Sequence, residues 1–241
     1  MIIFNNNTVA KSCDQLKYSA AEGWLPLAYV NKNEYKLKGV AFDVFNEITK
    51  ELGLTVNYTA LPWPRALFYL EVGKIDLVLA MYKTTPRTEI YQFSKAYFHN
   101  KTTVFTLKDR PLEFNNLSDI LLKKGLVPLG GSFGDKVDQT INAHPTQFFF
   151  IKNKIQMVGM LQKRRADYML MDYWDGLDFI KRNELENELT ALTPAINTNP
   201  VHFAFSKRSN CAHLLERFDR IITRLTEAGT INRWGEQHSN R

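Results

Sequence analysis

Two short apolar runs constrain what this chain can fold into. "KIDLVLAMY" (Lys74–Tyr82) and "DYMLMD" (Asp167–Asp172) are nearly continuous hydrophobic stretches, the pattern of strands covered on both faces. Amphipathic segments precede each of them. In "GVAFDVFNEITKELGL", Val44, Phe45, Ile48 and Leu52 recur at helical spacing and Gly53 follows as a stop. "TVNYTAL" reads as a strand, and "PWPRALFYLEVG" as a helix with Pro64 at its start, Leu67 and Leu70 on one face and Gly73 at its end. Strand, helix, strand, helix, strand predicts a parallel sheet with helices on both sides.

After "TTVFTLKD" the alternation restarts. "LSDILLKKG" predicts a short helix, "LVPLG" a strand, "GSFGDKVDQTINAH" a turn into a helix, "TQFFFIK" a strand, "KIQMVGMLQKRRA" a helix, and "DYMLMD" the next strand. "VHFAFSK" predicts a further strand, and "CAHLLERFDRIITRLTEAG" a long helix with Leu214, Leu215, Phe218, Ile221, Ile222 and Leu225 on its apolar face. No repeat and no low-complexity tether separates the two halves. The expected organisation is two α/β lobes joined by short strands.

Composition narrows the function classes. The 241 residues supply ample core material, and the 31 Lys and Arg against 25 Asp and Glu leave +6. That excess is scattered in pairs with no basic stripe, so nucleic acid is not an expected partner. The apolar runs are too short to span a bilayer. The first residues, "MIIFNNNTVAKSCDQLKYSA", lack the basic and long apolar regions of a signal peptide, which fits either a cytosolic chain or one whose signal has been removed. Two cysteines, Cys13 and Cys211, permit one bridge or two unrelated buried thiols, and spacing alone leaves both open. The five histidines are isolated, with no H-E-x-x-H and no C-x-x-C, so neither a metal nor another cofactor is expected.

Two motifs suggest chemistry. "GGSFG" (Gly130–Gly134) fits G-x-S-x-G between a strand and a helix, and Asp172 and His202 follow in hydrolase order. No HGGG-type segment precedes it, and the same glycine turn can equally present Ser132 to a ligand at a helix N-terminus. The second signal is a pair. Arg87, after "TTP", and Asp172 each lie just beyond a buried strand, where ligands gather in open α/β sheets. A guanidinium binds a carboxylate and a carboxylate binds an ammonium, and an α-amino acid carries both on one carbon. The plain alternative makes Arg87 a surface residue at a helix start and Asp172 a simple cap. Trp24 and Trp63 also follow predicted strands and could wall the same cleft or pack in the core.

The order of motifs resembles the solute-binding proteins of polar amino-acid ABC transporters, the type II two-lobed periplasmic family (bacterial extracellular solute-binding protein family 3). The matching stretches are "GWLPLAY", "LKGVAFDVFNEITKELGL", "PWPRALFYLEVGKIDLVLA", "TTPRTEIYQFSKAYF", "LGGSFGD", "RRADYMLMD" and "LTEAGTINRW", which cover nearly the whole chain. The resemblance implies a periplasmic-binding-protein-like α/β fold with two hinge strands. It implies a discontinuous first lobe, residues 1–100 and 198–241, and a second lobe of residues 101–197. It puts Arg87 on the α-carboxylate, Asp172 on the α-ammonium, Trp24 and Trp63 on the aromatic walls, and Ser132 in the turn that donates to the carboxylate. It also places Cys13 and Cys211 in one lobe, which favours a disulfide.

Against that family pattern, Ala80, Tyr82 and Phe133 stand where small hydroxyl residues are usual, which leaves room for a more aromatic or less polar ligand side chain. Glu22 lies one residue from an acid found in relatives that prefer lysine or arginine. The implied function is a monomeric periplasmic receptor, its signal peptide removed, that delivers an amino acid or close analogue to an ABC permease without catalysis. Two alternatives share the scaffold: a cyclohexadienyl dehydratase-like enzyme using Asp172 or Asp175 as proton donor, and the ligand-binding module of a sensory receptor.

Overall fold

Among the described residues, ten strands form one continuous, curled sheet that runs through both halves of the molecule. In this computed structural model residues 13–31 and 35–239 are described; the first twelve residues, on which the reading of the N-terminal segment rests, lie outside them. Strands β1 (Leu16–Ser19), β4 (Val56–Tyr58) and β5 (Leu77–Tyr82) are parallel, as expected. Helices α1 (Val40–Glu51) and α2 (Trp63–Glu71) link them. Between β1 and α1, β2 (Tyr29–Asn31) and β3 (Lys36–Lys38) pair as a small separate sheet. Every residue of β5 is buried, because α1 packs on one face and α2 on the other.

Helix α3 (Thr85–Ile90) and strand β6 (Tyr91–Phe93) follow, and β7 (Phe98–Leu107) then leaves the first lobe. The second lobe holds β8 (Gly125–Pro128), α4 (Asp135–Ala143), β9 (Phe148–Ile151), α5 (Lys154–Gln162), β10 (Tyr168–Asp172), α6 (Tyr173–Arg182) and β11 (Leu189–Ala191). Strand β12 (Asn197–Ser206) returns to the first lobe, where α7 (Leu215–Glu227) and α8 (Thr230–Ser239) complete the described chain. Along the sheet the order is β4–β1–β5–β12–β7–β10–β8–β9, with β6 on β12 and β11 on β7.

The long strands β7 and β12 are the two hinge strands. Phe98–Thr102 of β7 pairs antiparallel with Val201–Asn197 of β12; beyond that, β7 pairs with β10 and β12 with β5, both antiparallel. The middle of the sheet is therefore antiparallel, while the strand–helix–strand unit of the first lobe keeps the parallel pairing expected of it. Two crossings in opposite directions must run antiparallel to each other, and strand periodicity carries no information about direction. The cores divide the same way. One group of buried side chains draws on residues 16–97 and 201–231, with Phe45, Phe203 and Phe218 at its centre. The other draws on residues 104–189, around Val127, Phe133, Tyr168 and Met169.

Two local expectations shift. The segment after Asn116 is a 3-10 turn, Leu117–Ile120, closed by a capping box between Asn116 and Asp119. The last long helix starts at Leu215, because Ser209 caps a separate 3-10 turn over Asn210–Leu214. That turn carries Cys211, which is disulfide-bonded to Cys13 with a Cα separation of 4.9 Å. The bridge joins positions 198 residues apart within the first lobe.

Candidate functional site

The cleft between the lobes holds a cavity of about 170 Å³, smaller than the roughly 300–1,000 Å³ of pockets for drug-sized ligands. Its wall includes Trp24, Trp63, Tyr82, Arg87, Ser132, Phe133 and Asp172, seven of the nine ligand-site residues read from the sequence. Four of them come from the first lobe and three from the second, so the site exists only where the lobes meet.

Arg87 sits in α3, directly after β5, with Pro86 in the first turn of that helix. One guanidinium nitrogen donates to the Tyr82 carbonyl at 2.9 Å, which holds the side chain back against the end of its own strand. Burial pulls its pKa below the usual guanidinium value, while Asp138 and Tyr91 oppose that. Among the described residues no carboxylate comes within ion-pairing distance of it. Arg87 therefore presents a desolvated, unspent cation to the cavity.

Asp172 ends β10 and is the residue before α6, so its carboxylate projects from the carboxyl end of the strand. It is 9% exposed. The Tyr82 hydroxyl donates to Oδ1 at 2.7 Å and the Trp24 indole N–H donates to Oδ2 at 2.7 Å, both from the opposite lobe. Asn100 of β7 donates in turn to the Tyr82 hydroxyl at 3.0 Å. A line of hydrogen bonds thus runs from the hinge through the first lobe into the second. Burial lifts the Asp172 carboxyl to about 7; Tyr82, Trp24 and Lys154 pull it down and Asp175 pushes it up. Burial and Asp172 also push the Tyr82 phenol well above its ordinary value, so it remains a donor.

The glycine turn is shaped by a residue that sequence reasoning missed. Asp138, in the first turn of α4, accepts the Ser132 hydroxyl at 2.5 Å and the Phe133 N–H at 2.7 Å. Ser132 therefore lines the cavity, but its hydroxyl is already committed to Asp138. Gly134 has φ +86, and a Cβ there would lie 2.4 Å from Asn199 Oδ1 on β12, which fixes the turn against the hinge. His202 is buried on β12 with Nδ1 against the Ser94 carbonyl at 2.7 Å, so Ser132, Asp172 and His202 do not assemble as a triad.

Two expected site residues stand elsewhere. Ala80 is fully buried in the first-lobe core and does not reach the cavity; its neighbour Met81 does. Glu22 accepts a hydrogen bond from Tyr58 and lines a neighbouring depression with Leu61, Pro62 and Trp63. Conversely, Lys154 and Met171 line the cavity unannounced, and Asp175 lines it three residues after Asp172. Lys154 opens α5 just beyond β9, so the rule that picked out Arg87 could have found it. A further link crosses the cleft: Thr85 donates its N–H and hydroxyl to the Asp135 carboxylate, at 3.0 Å and 2.8 Å. Among the described residues, no helix is long and apolar enough to cross a membrane, and no cluster of three or more His, Cys, Asp or Glu could hold a metal.

The sequence profile of the bacterial extracellular solute-binding proteins, family 3, matches residues 16–240. The chain belongs to this family. Among its curated relatives, the L-cystine-binding protein TcyA of Bacillus subtilis is 23% identical over 208 residues, 86% of this chain and 75% of that protein. The probable amino-acid-binding protein YxeM of the same organism is 23% identical over 241 residues, 98% of this chain and 88% of that one. Among solved structures, the amino acid ABC transporter substrate-binding protein AbpA from Streptococcus pneumoniae superposes with a TM-score of 0.77 at 18% identity, over 96% of this chain and 97% of that one. The fold of this solute-binding protein is thus the type II periplasmic-binding-protein fold, with a cleft between its lobes.

Proposed function

We propose that this solute-binding protein captures an α-amino acid or close analogue in the inter-lobe cleft and delivers it to an ABC permease. The observation that carries this reading is the charge arrangement. Among the described residues, a guanidinium without a carboxylate partner, Arg87, and a buried carboxylate without an ion-paired cation, Asp172, line one small cavity. The ligand carboxylate pairs with Arg87 and the ligand ammonium with Asp172, between the rings of Trp24 and Trp63.

In this account the first lobe comprises residues up to about 100 and from about 198, and the second the residues between; these bounds fall in the paired stretch of β7 and β12. Arg87 recruits the ligand on the first lobe, and Asp172 and the glycine turn close on it. The protein acts outside the cytoplasm, in the periplasm, as a monomer and without a chemical step. The names of TcyA and YxeM support an amino-acid ligand class.

A thermal-shift screen with free amino acids tests this directly, since a ligand that binds only the folded state raises its melting temperature. At least one amino acid should stabilise the wild type, and Arg87→Ala should abolish that shift. Equal stabilisation of Arg87→Ala would remove the assignment.

A further inference from the structure

Among the described residues four charged side chains line the cavity, and their formal charges cancel: Arg87 and Lys154 against Asp172 and Asp175. Lys154 Nζ donates to both oxygens of Asp175 at 2.6 Å, and the two side chains are only 29% and 14% exposed. An α-amino acid held by Arg87 and Asp172 uses one charge of each sign. What remains is an ion pair that is already complete. The rest of the wall is mostly apolar, with Trp63, Met81, Phe133 and Met171 among its members.

Resting on the amino-acid reading of the cleft, we propose that the Lys154–Asp175 ion pair is a specificity element that restricts the ligand to amino acids with uncharged, predominantly apolar side chains. A cationic side chain would find Asp175, the only further carboxylate of the cavity wall among the described residues, bound at two points to Lys154. An anionic side chain would find Lys154 held by Asp175 in the same way. Either would have to break a largely buried ion pair or remain an uncompensated charge in a cavity of low dielectric, each disfavoured by about a hundredfold or more. A thioether, branched aliphatic or aromatic side chain meets the sulfur and ring surfaces of the wall at no such cost. The pair thus works by rejection, the repulsive half of specificity.

Calorimetry on the full chain with methionine, leucine, phenylalanine, lysine, arginine and glutamate tests the inference. In the wild type at least one of the three uncharged amino acids should bind about tenfold or more tighter than any charged one. Lys154→Met frees Asp175 and should raise the affinity for lysine relative to methionine by about tenfold or more. Asp175→Asn frees Lys154 and should do the same for glutamate. A cooperative thermal melt reports that each variant still folds, and each variant tests the inference independently of the other. A charged amino acid binding the wild type most tightly, or a wild-type order of preference in both variants, would overturn the inference while leaving the amino-acid site standing. Failure of every amino acid to bind the wild type would overturn the reading beneath it.

Discussion

Tyr82 donates its hydroxyl hydrogen to Asp172 Oδ1 at 2.7 Å, joining the last residue of β5 in one lobe to the last residue of β10 in the other. The same hydroxyl accepts from Asn100, whose side-chain oxygen is itself buried without a partner among the described residues. Tyr82→Phe therefore strands a buried amide N–H and removes one of two donors from a buried carboxylate. The expected cost is about 1–3 kcal/mol, or a fall of several degrees in the melting temperature for a chain of this size. A melting temperature equal to that of the wild type would show that this line of hydrogen bonds does not hold the lobes together.

Ligand affinity should depend on pH through Asp172. Its folded-state pKa, about 7, lies well above the ordinary aspartate value. Between about pH 4 and 7 the folded protein then holds more protons at this site than the unfolded chain, so the contribution of Asp172 to stability is full at low pH and is lost as pH rises through 7. A bound ammonium favours the ionised carboxylate and reverses that preference. Affinity should climb by up to about tenfold per pH unit toward 7 and level off above it, with release of up to one proton on binding. Calorimetry across pH in two buffers of different ionisation enthalpy reads both effects. An affinity that is flat from about pH 5 to 8 would exclude Asp172 as the ammonium partner.

The contact between Thr85 and Asp135 joins the lobes directly, with no atom of the cavity wall between them. Asp135 accepts from the backbone N–H and the hydroxyl of Thr85, which lie at the start of α3, two residues before Arg87. These hydrogen bonds are exposed, so each contributes about 0.5–1.5 kcal/mol at most. Asp135→Ala should shift the ligand-free protein toward the open form and weaken ligand binding by about tenfold. Small-angle scattering should record a larger radius of gyration for the ligand-free variant, and an unchanged one would count against a latch.

The parts of the site that the sequence revealed are those that follow from local rules. The runs ending at Tyr82 and Asp172 announced covered strands, and position beyond a strand end made Arg87 and Asp172 candidates, with a surface residue and a cap as the open alternative until the family resemblance gave them roles. The parts it hid depend on distant contacts. Because β5 is buried on both faces, its periodicity could not say whether Ala80 or Met81 meets the cleft. The Ser132 hydroxyl looked available until Asp138, six residues on, was seen to hold it. Helix α6 begins directly after Asp172 with no intervening turn residue, so nothing punctuated its start. The antiparallel crossing of β7 and β12 joins segments about a hundred residues apart, beyond the reach of any local pattern. Cys13 and Cys211 gave an even count, and only the approach of their Cα atoms to 4.9 Å decided the pairing.

The central claim is that one cavity recognises both charged groups of an amino acid, the carboxylate through Arg87 and the ammonium through Asp172. Calorimetry of the wild type with its tightest amino acid, and with the N-acetyl and methyl-ester derivatives of that amino acid, separates the two contacts. Each derivative removes one charge and should bind about a hundredfold or more weaker than the parent. Binding of either derivative as tightly as the free amino acid would contradict the claim.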